Sequence, residues 1–169
     1  VINGIKLFVP DAHIADLTVC VTRTGEEEEE ISLLLVEGRS PGMDYTPLKT
    51  FAGDKLFEIA FKDVETSVKN ILGEPGRGWG ITARVLDHAT VAHCAWILGG
   101  MEKVLEMTIS YAKERFQFGR PIGSFQIIQH KCADMATYVD AARFLTFRAA
   151  WMLSEGLPCC LLYTSDAAD

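Results

Sequence analysis

The chain has 169 residues, 49% of them hydrophobic and 23% charged, with a formal net charge of −7. That length accommodates one domain or two small ones. The acidic balance argues against a nucleic-acid surface, which needs a basic face, and no window holds the roughly 18 uncharged apolar residues of a membrane span.

In chain order, "VINGIKLFV" begins in mid-strand, with Asn3-Gly4 reading as a hairpin-type turn. This start predicts a chain that enters inside a sheet. Short runs rich in Val, Ile, Phe and Thr follow at 5–9, 17–23, 31–36, 45–48 and 56–61. "PDAH", "TGEEEEE", "GRSPGMD" and "KTFAGD" separate them. That spacing predicts an antiparallel meander or a piece of a barrel. The run Leu33-Leu34-Leu35 predicts a strand buried on both faces, and the acidic run from Glu26 to Glu30 a solvated loop. Five cysteines (Cys20, Cys94, Cys132, Cys159 and Cys160) show no metal-ligand spacing. The first three sit among apolar residues and are expected to be reduced core thiols of an intracellular protein.

"LGEPGRGWG", residues 72–80, carries no phosphate-loop pattern and reads as a hinge into a helix. Ile81, Val85, Ala89, Ala92, Trp96, Gly99, Val104, Ile109 and Ala112 then trace an apolar stripe through roughly 30 residues, about 45 Å of helix. A second stripe runs through Ile128, Cys132, Met135, Val139, Ala142 and Leu145 to Met152 and stops at "EGLP". Two helices of this length cannot bury both their faces alone, so further helices or another subunit must cover them. His88 and His93 are five apart and share no helix face as metal ligands would; no metal site is expected.

Between the helices, "YAKERFQFGRPIGSFQ" (residues 111–126) holds more than a helix end requires. Gly and Pro as stop signals, Arg at a negative helix end and phenylalanines as core give one reading. A corner holding something flat and anionic gives another. In that reading Arg115 supplies a planar cation, Phe116 or Phe118 an aromatic wall, Gly119 close backbone approach and Gln126 an amide.

"YAKERFQFGRPIGSFQIIQHKCADM" resembles the R-x-x-F-G-x-x-I/L…Q…(A)DM segment opening the carboxyl-terminal helical domain of acyl-CoA dehydrogenases. "INGIKLFVPDAHIADLTVCVTRT" resembles that family's middle-domain stretch, and "LFEIAFKDVETSVKNILGEPGRGW" resembles its join between the two domains. The resemblance implies an α+β fold: part of an antiparallel β-domain over residues 1–70, a linker at 71–80, and the first two long helices of a four-helix domain at 81–158. It also implies FAD as cofactor, an acyl-CoA substrate, an electron-accepting flavoprotein or quinone-linked acceptor, and assembly as a homodimer or homotetramer. A bacterial, cytoplasmic setting goes with it. By resemblance Arg115 contacts the FAD pyrophosphate of a neighbouring subunit, and Gln117, Phe118 and Gln126 line the same cofactor. Phe8, aligned with the tryptophan of a Trp-x-Thr pattern, walls the flavin. Pro10 stands where the threonine would be and offers neither hydroxyl nor N–H.

The implied reaction is α,β-desaturation of an acyl-CoA thioester, with a carboxylate taking the α-proton. In a minority of the family that glutamate lies on the first of these helices, where this chain has Ala89. No catalytic residue is therefore assigned within the chain, the base is expected beyond it, and the chain alone is expected to be inactive. Asp87 and Thr90 match substrate-contact positions. An acyl-CoA oxidase or flavin monooxygenase on the same fold, or a non-catalytic helical interaction module, are the alternatives. Residues 160–169, "CLLYTSDAAD", resemble the translation of a sequencing adapter. They predict a non-native tail over 159–169, with native sequence ending at Pro158 or Cys159.

Overall fold

The computed structural model describes residues 1–27 and 30–158. The expected tail at 159–169 lies outside the described residues, as do Glu28 and Glu29 of the acidic loop. The chain divides into two compact units, Val1–Ala83 and Arg84–Asp169.

The first unit is two three-stranded antiparallel sheets. One has the order β1 (Ile2–Pro10), β5 (Leu56–Val64), β4 (Met43–Leu48); the other β2 (Leu17–Arg23), β3 (Ile31–Glu37), β6 (Ile71–Leu72). Their inward residues meet in one cluster that includes Ile2, Cys20, Leu34, Val36, Ile59, Phe61 and Val64. Along β3, Leu33 and Leu34, on opposite faces, are both buried as the apolar run predicts, while Leu35 is half-buried.

Asn3-Gly4 corrects the expected hairpin turn. Both residues lie inside β1, opposite a bulge in β5 where Asp63 adopts φ 51°. Asn3 and Asp63 lock this bulge reciprocally: the Asn3 amide donates to the Asp63 carboxylate (2.9 Å), and the Asp63 N–H donates to Asn3 Oδ1 (2.8 Å). A second bulge, between Lys6 and Val9, has its extra residue on β1 and holds Phe8 at φ 58°.

Residues 73–78, within the stretch read as a hinge into a helix, are tied to β3. Ser32, 1% exposed, accepts from the Gly76 N–H (2.8 Å) and bonds Thr24 Oγ1 (2.9 Å), while Gly78 N–H donates to the Ile31 carbonyl (2.6 Å). A Cβ on Gly78 would lie 2.9 Å from that same carbonyl, so glycine lets the two backbones meet.

The second unit is a helical pair, α1 (Trp79–Glu114, whose first residues belong to the first unit) and α2 (Gln126–Ser154), joined by a short hairpin. The buried seam of α1 is not the expected stripe: Val85, Trp96 (74% exposed) and Val104 face outward. The covered positions instead run Asp87, Val91, Cys94, Leu98, Met101, Leu105, Thr108, Ala112, in alternating steps of four and three. On α2 the same rhythm runs Ile128, Cys132, Met135, Val139, Ala142, Thr146, Ala149, Leu153. This is the spacing of two helices packed along a heptad seam. Val91 packs in one cluster with Ala149, Met152 and Leu153. Arg143 of α2 donates to Glu102 of α1 at 3.1 and 2.8 Å and also pairs with Asp140. Outside the seam Ile97, Tyr138, Phe144 and Phe147 are exposed, as two helices without covering partners require. Among the described residues no helix is long and apolar enough to cross a membrane.

All three described cysteines are free; Cys20 is buried and Cys94 and Cys132 half-buried. Burial pushes the Cys20 thiol above its ordinary value, with Lys6 pulling partly back. The unfolded chain therefore ionises first, so Cys20 stabilises fully below the ordinary thiol value and loses that contribution as pH rises from there through the raised folded value. At mildly alkaline pH an alkylating reagent is expected to modify Cys94 and Cys132 first, and Cys20 only on unfolding. Equal rates at all three, followed by peptide mass spectrometry, would contradict this packing.

Candidate functional site

The link between α1 and α2 is built from the residues that looked excessive in sequence. α1 ends at Glu114, and Arg115 continues from it with its N–H on the Tyr111 carbonyl (2.9 Å). β7 (Phe116–Gln117) and β8 (Arg120–Pro121) pair across a two-residue turn made of Phe118 and Gly119. Both turn residues have positive φ, 52° and 78°, as a type I′ hairpin demands. Glycine meets that demand without strain, whereas phenylalanine is among the residues that resist it. A Cβ at Gly119 would touch nothing, so the backbone there is open on that side. At the base of the turn Ile122 N–H returns to the Arg115 carbonyl (2.8 Å), and Gly123 packs so close to α1 that a Cβ would sit 3.0 Å from the Ala112 carbonyl.

Arg115, Gln117 and Phe118 are all exposed, Phe118 to 91%. Arg115 forms no ion pair among the described residues. Gln126 is the first residue of α2 and exposed, and the opening turn of that helix carries neither a capping side chain nor an acid. A helix start left this way favours an anion. The structure thus brings four of the expected cofactor residues to one end of the helical pair. Phe8, the fifth, lies in the first unit, 65% exposed and also in left-handed backbone. Among the described residues five non-glycine positions have positive φ: Asp11 and Asp63, which tolerate it, Arg39, and the two aromatics Phe8 and Phe118. Strain of this kind concentrates where a site needs it.

The expected substrate-contact positions differ in character. Asp87 is half-buried at a seam position of α1. Thr90 spends its hydroxyl proton on the Leu86 carbonyl (2.8 Å), which leaves oxygen lone pairs as its remaining capacity. Ala89 is exposed and brings no acid. Of the histidines, His93 stacks on Trp96 and His13 on Phe57. Among the described residues no three His, Cys, Asp or Glu side chains gather as a metal site.

Sequence reasoning assigned no role to Arg120, whose guanidinium lies 4.2 Å from the centre of the Phe125 ring. Phe125 in turn meets Phe118 edge-on at 6.1 Å. The only signal in sequence is an arginine five residues before an aromatic, which becomes a contact through the turn between them.

Residues 76–168 match the family described as "Acyl-CoA dehydrogenase, C-terminal domain". The chain is 36% identical over 174 residues to the probable acyl-CoA dehydrogenase YngJ of Bacillus subtilis, covering 99% of this chain and 45% of that protein. It is similar to the structure of butyryl-CoA dehydrogenase from Megasphaera elsdenii, with TM-score 0.86 and 32% identity over 95% of this chain and 43% of that one. It is also similar to PigA solved with FAD and proline, with TM-score 0.89 and 28% identity over 95% of this chain and 43% of that one. The chain therefore spans less than half the length of the relatives it matches.

Proposed function

The chain belongs to the acyl-CoA dehydrogenase family, and from that premise we propose that it is part of an FAD-dependent enzyme that desaturates an acyl-CoA thioester between its α and β carbons. One observation carries the cofactor reading: two outward phenylalanines, Phe8 and Phe118, held in left-handed backbone where phenylalanine is disfavoured. The residues fit the group. Arg115, with no carboxylate partner among the described residues, would hold the pyrophosphate by a planar pair of donors. Phe118 would wall one of the cofactor's rings, Gln117 and Gln126 would offer amide groups to polar edges, and Phe8, in the first unit, is assigned separately to a flavin ring. FAD, when bound, supplies the acceptor for the hydride that leaves the β-carbon.

The chain's own part is binding and orientation. Asp87 and Thr90 are assigned to the acyl-CoA side, with Thr90 acting as an acceptor because its proton is committed. No carboxylate of the chain is assigned the α-proton, since Ala89 has none to offer. Assembly as a homodimer or homotetramer, with Arg115 serving a neighbour's cofactor, is supported by the apolar faces that α1 and α2 leave exposed. Electrons would pass on to a flavoprotein or a quinone-linked acceptor.

The test is a chimera in which residues 1–158 replace the matching portion of the Megasphaera butyryl-CoA dehydrogenase. It is expected to purify with bound FAD and to reduce an electron-accepting dye when given acyl-CoA. The 169-residue chain alone is expected to give no turnover above a protein-free control. Loss of a general base by itself removes about 10²–10⁴ in rate. A folded chimera without flavin overturns the reading.

A further inference from the structure

We propose that Arg120 is a positioning residue of this corner: it fixes the Phe125 ring, on which Phe118 leans, and so holds Phe118 outward for the flat cofactor ring. The inference rests on the FAD reading above.

The Arg120 guanidinium carbon stands 4.2 Å from the Phe125 ring centroid, in range for a cation over an aromatic face. Among the described residues Arg120 forms no ion pair, so no carboxylate competes with the ring for it. Phe125 is a firm base. Its N–H donates to the Ile122 carbonyl (3.1 Å), and its carbonyl accepts from Ile128 and Gln129 (3.0 and 3.1 Å) at the start of α2. Phe118 touches that ring edge-on, at 6.1 Å and 86°. At 91% exposure on a hairpin tip, Phe118 has almost no other packing to select its rotamer. Arg120 is the strand partner of Gln117, so the residue that steadies Phe125 faces the residue just before Phe118. The chain of contact is therefore cation to ring to ring. The outermost ring is the one the cofactor would meet.

The planar guanidinium can stack on Phe125 where an ammonium would sit as a point charge. The same cation could instead meet the pyrophosphate directly, and the experiment separates the two. The chimera described above, stripped of its flavin, is titrated with FAD and its affinity measured by equilibrium dialysis. Unsubstituted, Arg120→Gln, Arg120→Lys, Phe118→Ala and double Arg120→Gln/Phe118→Ala chains are compared at two salt concentrations. Arg120→Gln is expected to weaken FAD binding about two- to fivefold, the scale of an exposed cation–ring contact. Arg120→Lys is expected to recover part of that loss. The double variant is expected to bind no more weakly than Phe118→Ala alone, because Arg120 acts only through that ring. Salt dependence is expected to be the same with and without Arg120.

Unchanged binding in Arg120→Gln overturns the proposal while the cofactor reading stands. Additive losses, with a weaker salt dependence in Arg120→Gln, overturn it in favour of direct contact with phosphate. An unsubstituted chimera that folds but takes up no FAD overturns the cofactor reading, and this inference with it.

Discussion

Arg115→Ala in the flavin-loaded chimera is expected to raise the dissociation constant for FAD by about 10- to 150-fold, the equivalent of about 1.5–3 kcal/mol for a hydrogen bond to a charged group. The reasoning starts from position. Arg115 follows directly on α1 and is tied by its backbone to both Tyr111 and Ile122, so its Cα is fixed. Its side chain is exposed and forms no ion pair among the described residues, so the guanidinium gives up little to bind an anion. Arg115→Lys is expected to fall between, because the charge remains while the fork of donors is lost. Flavin content and affinity, measured by equilibrium dialysis, decide the matter. If Arg115→Ala retains FAD like its parent, the corner is a turn and nothing more.

Ile59→Ala is the change expected to harm the fold most. Ile59 is fully buried at the middle of β5, between β1 and β4, where Lys6 and Tyr45 are its strand neighbours. It belongs to the cluster that both sheets share, so the cavity opens where neither sheet can close over it. The expected loss is about 2–5 kcal/mol, a large share of what keeps a domain folded. Ile5→Ala on β1, an exposed position, is the matched control and should shift stability by no more than about 0.5 kcal/mol. Thermal unfolding followed by circular dichroism should separate the two by roughly 4–18 °C. Coincident melting curves would mean that the two sheets do not share this core.

The strands were legible because their signal is local. Period-two runs bounded by Gly, Pro and Asp placed residues 17–23 to the residue, and the other ends within a few positions. Asn3-Gly4 misled because a bulge and a tight turn ask for the same residue types. What decides between them is Asp63, sixty residues away. The α1 stripe was misphased for a different reason. That helix is largely apolar, so several helical phases fit, and the true seam includes Asp87 and Thr108, which a hydrophobic count discards. The corner's residues were recognisable by type and by resemblance. Its backbone was not, because nothing in local preference predicts phenylalanine at positive φ. Nor does any helical or strand period predict Arg120 over Phe125, a contact made by the turn between them.

The two left-handed phenylalanines also bear on descent. A lineage of this fold that gave up its flavin would no longer be selected to keep large aromatics at positions 8 and 118. Substitution would carry both bends toward glycine, asparagine or aspartate, which accept that backbone at little cost. The drift would need no gain of function to drive it, since relieving the bend is itself stabilising. If Phe8 and Phe118 wall a flavin as proposed, phenylalanine at both positions is a trait that continued use would maintain, and its loss would be among the first marks of a retired copy.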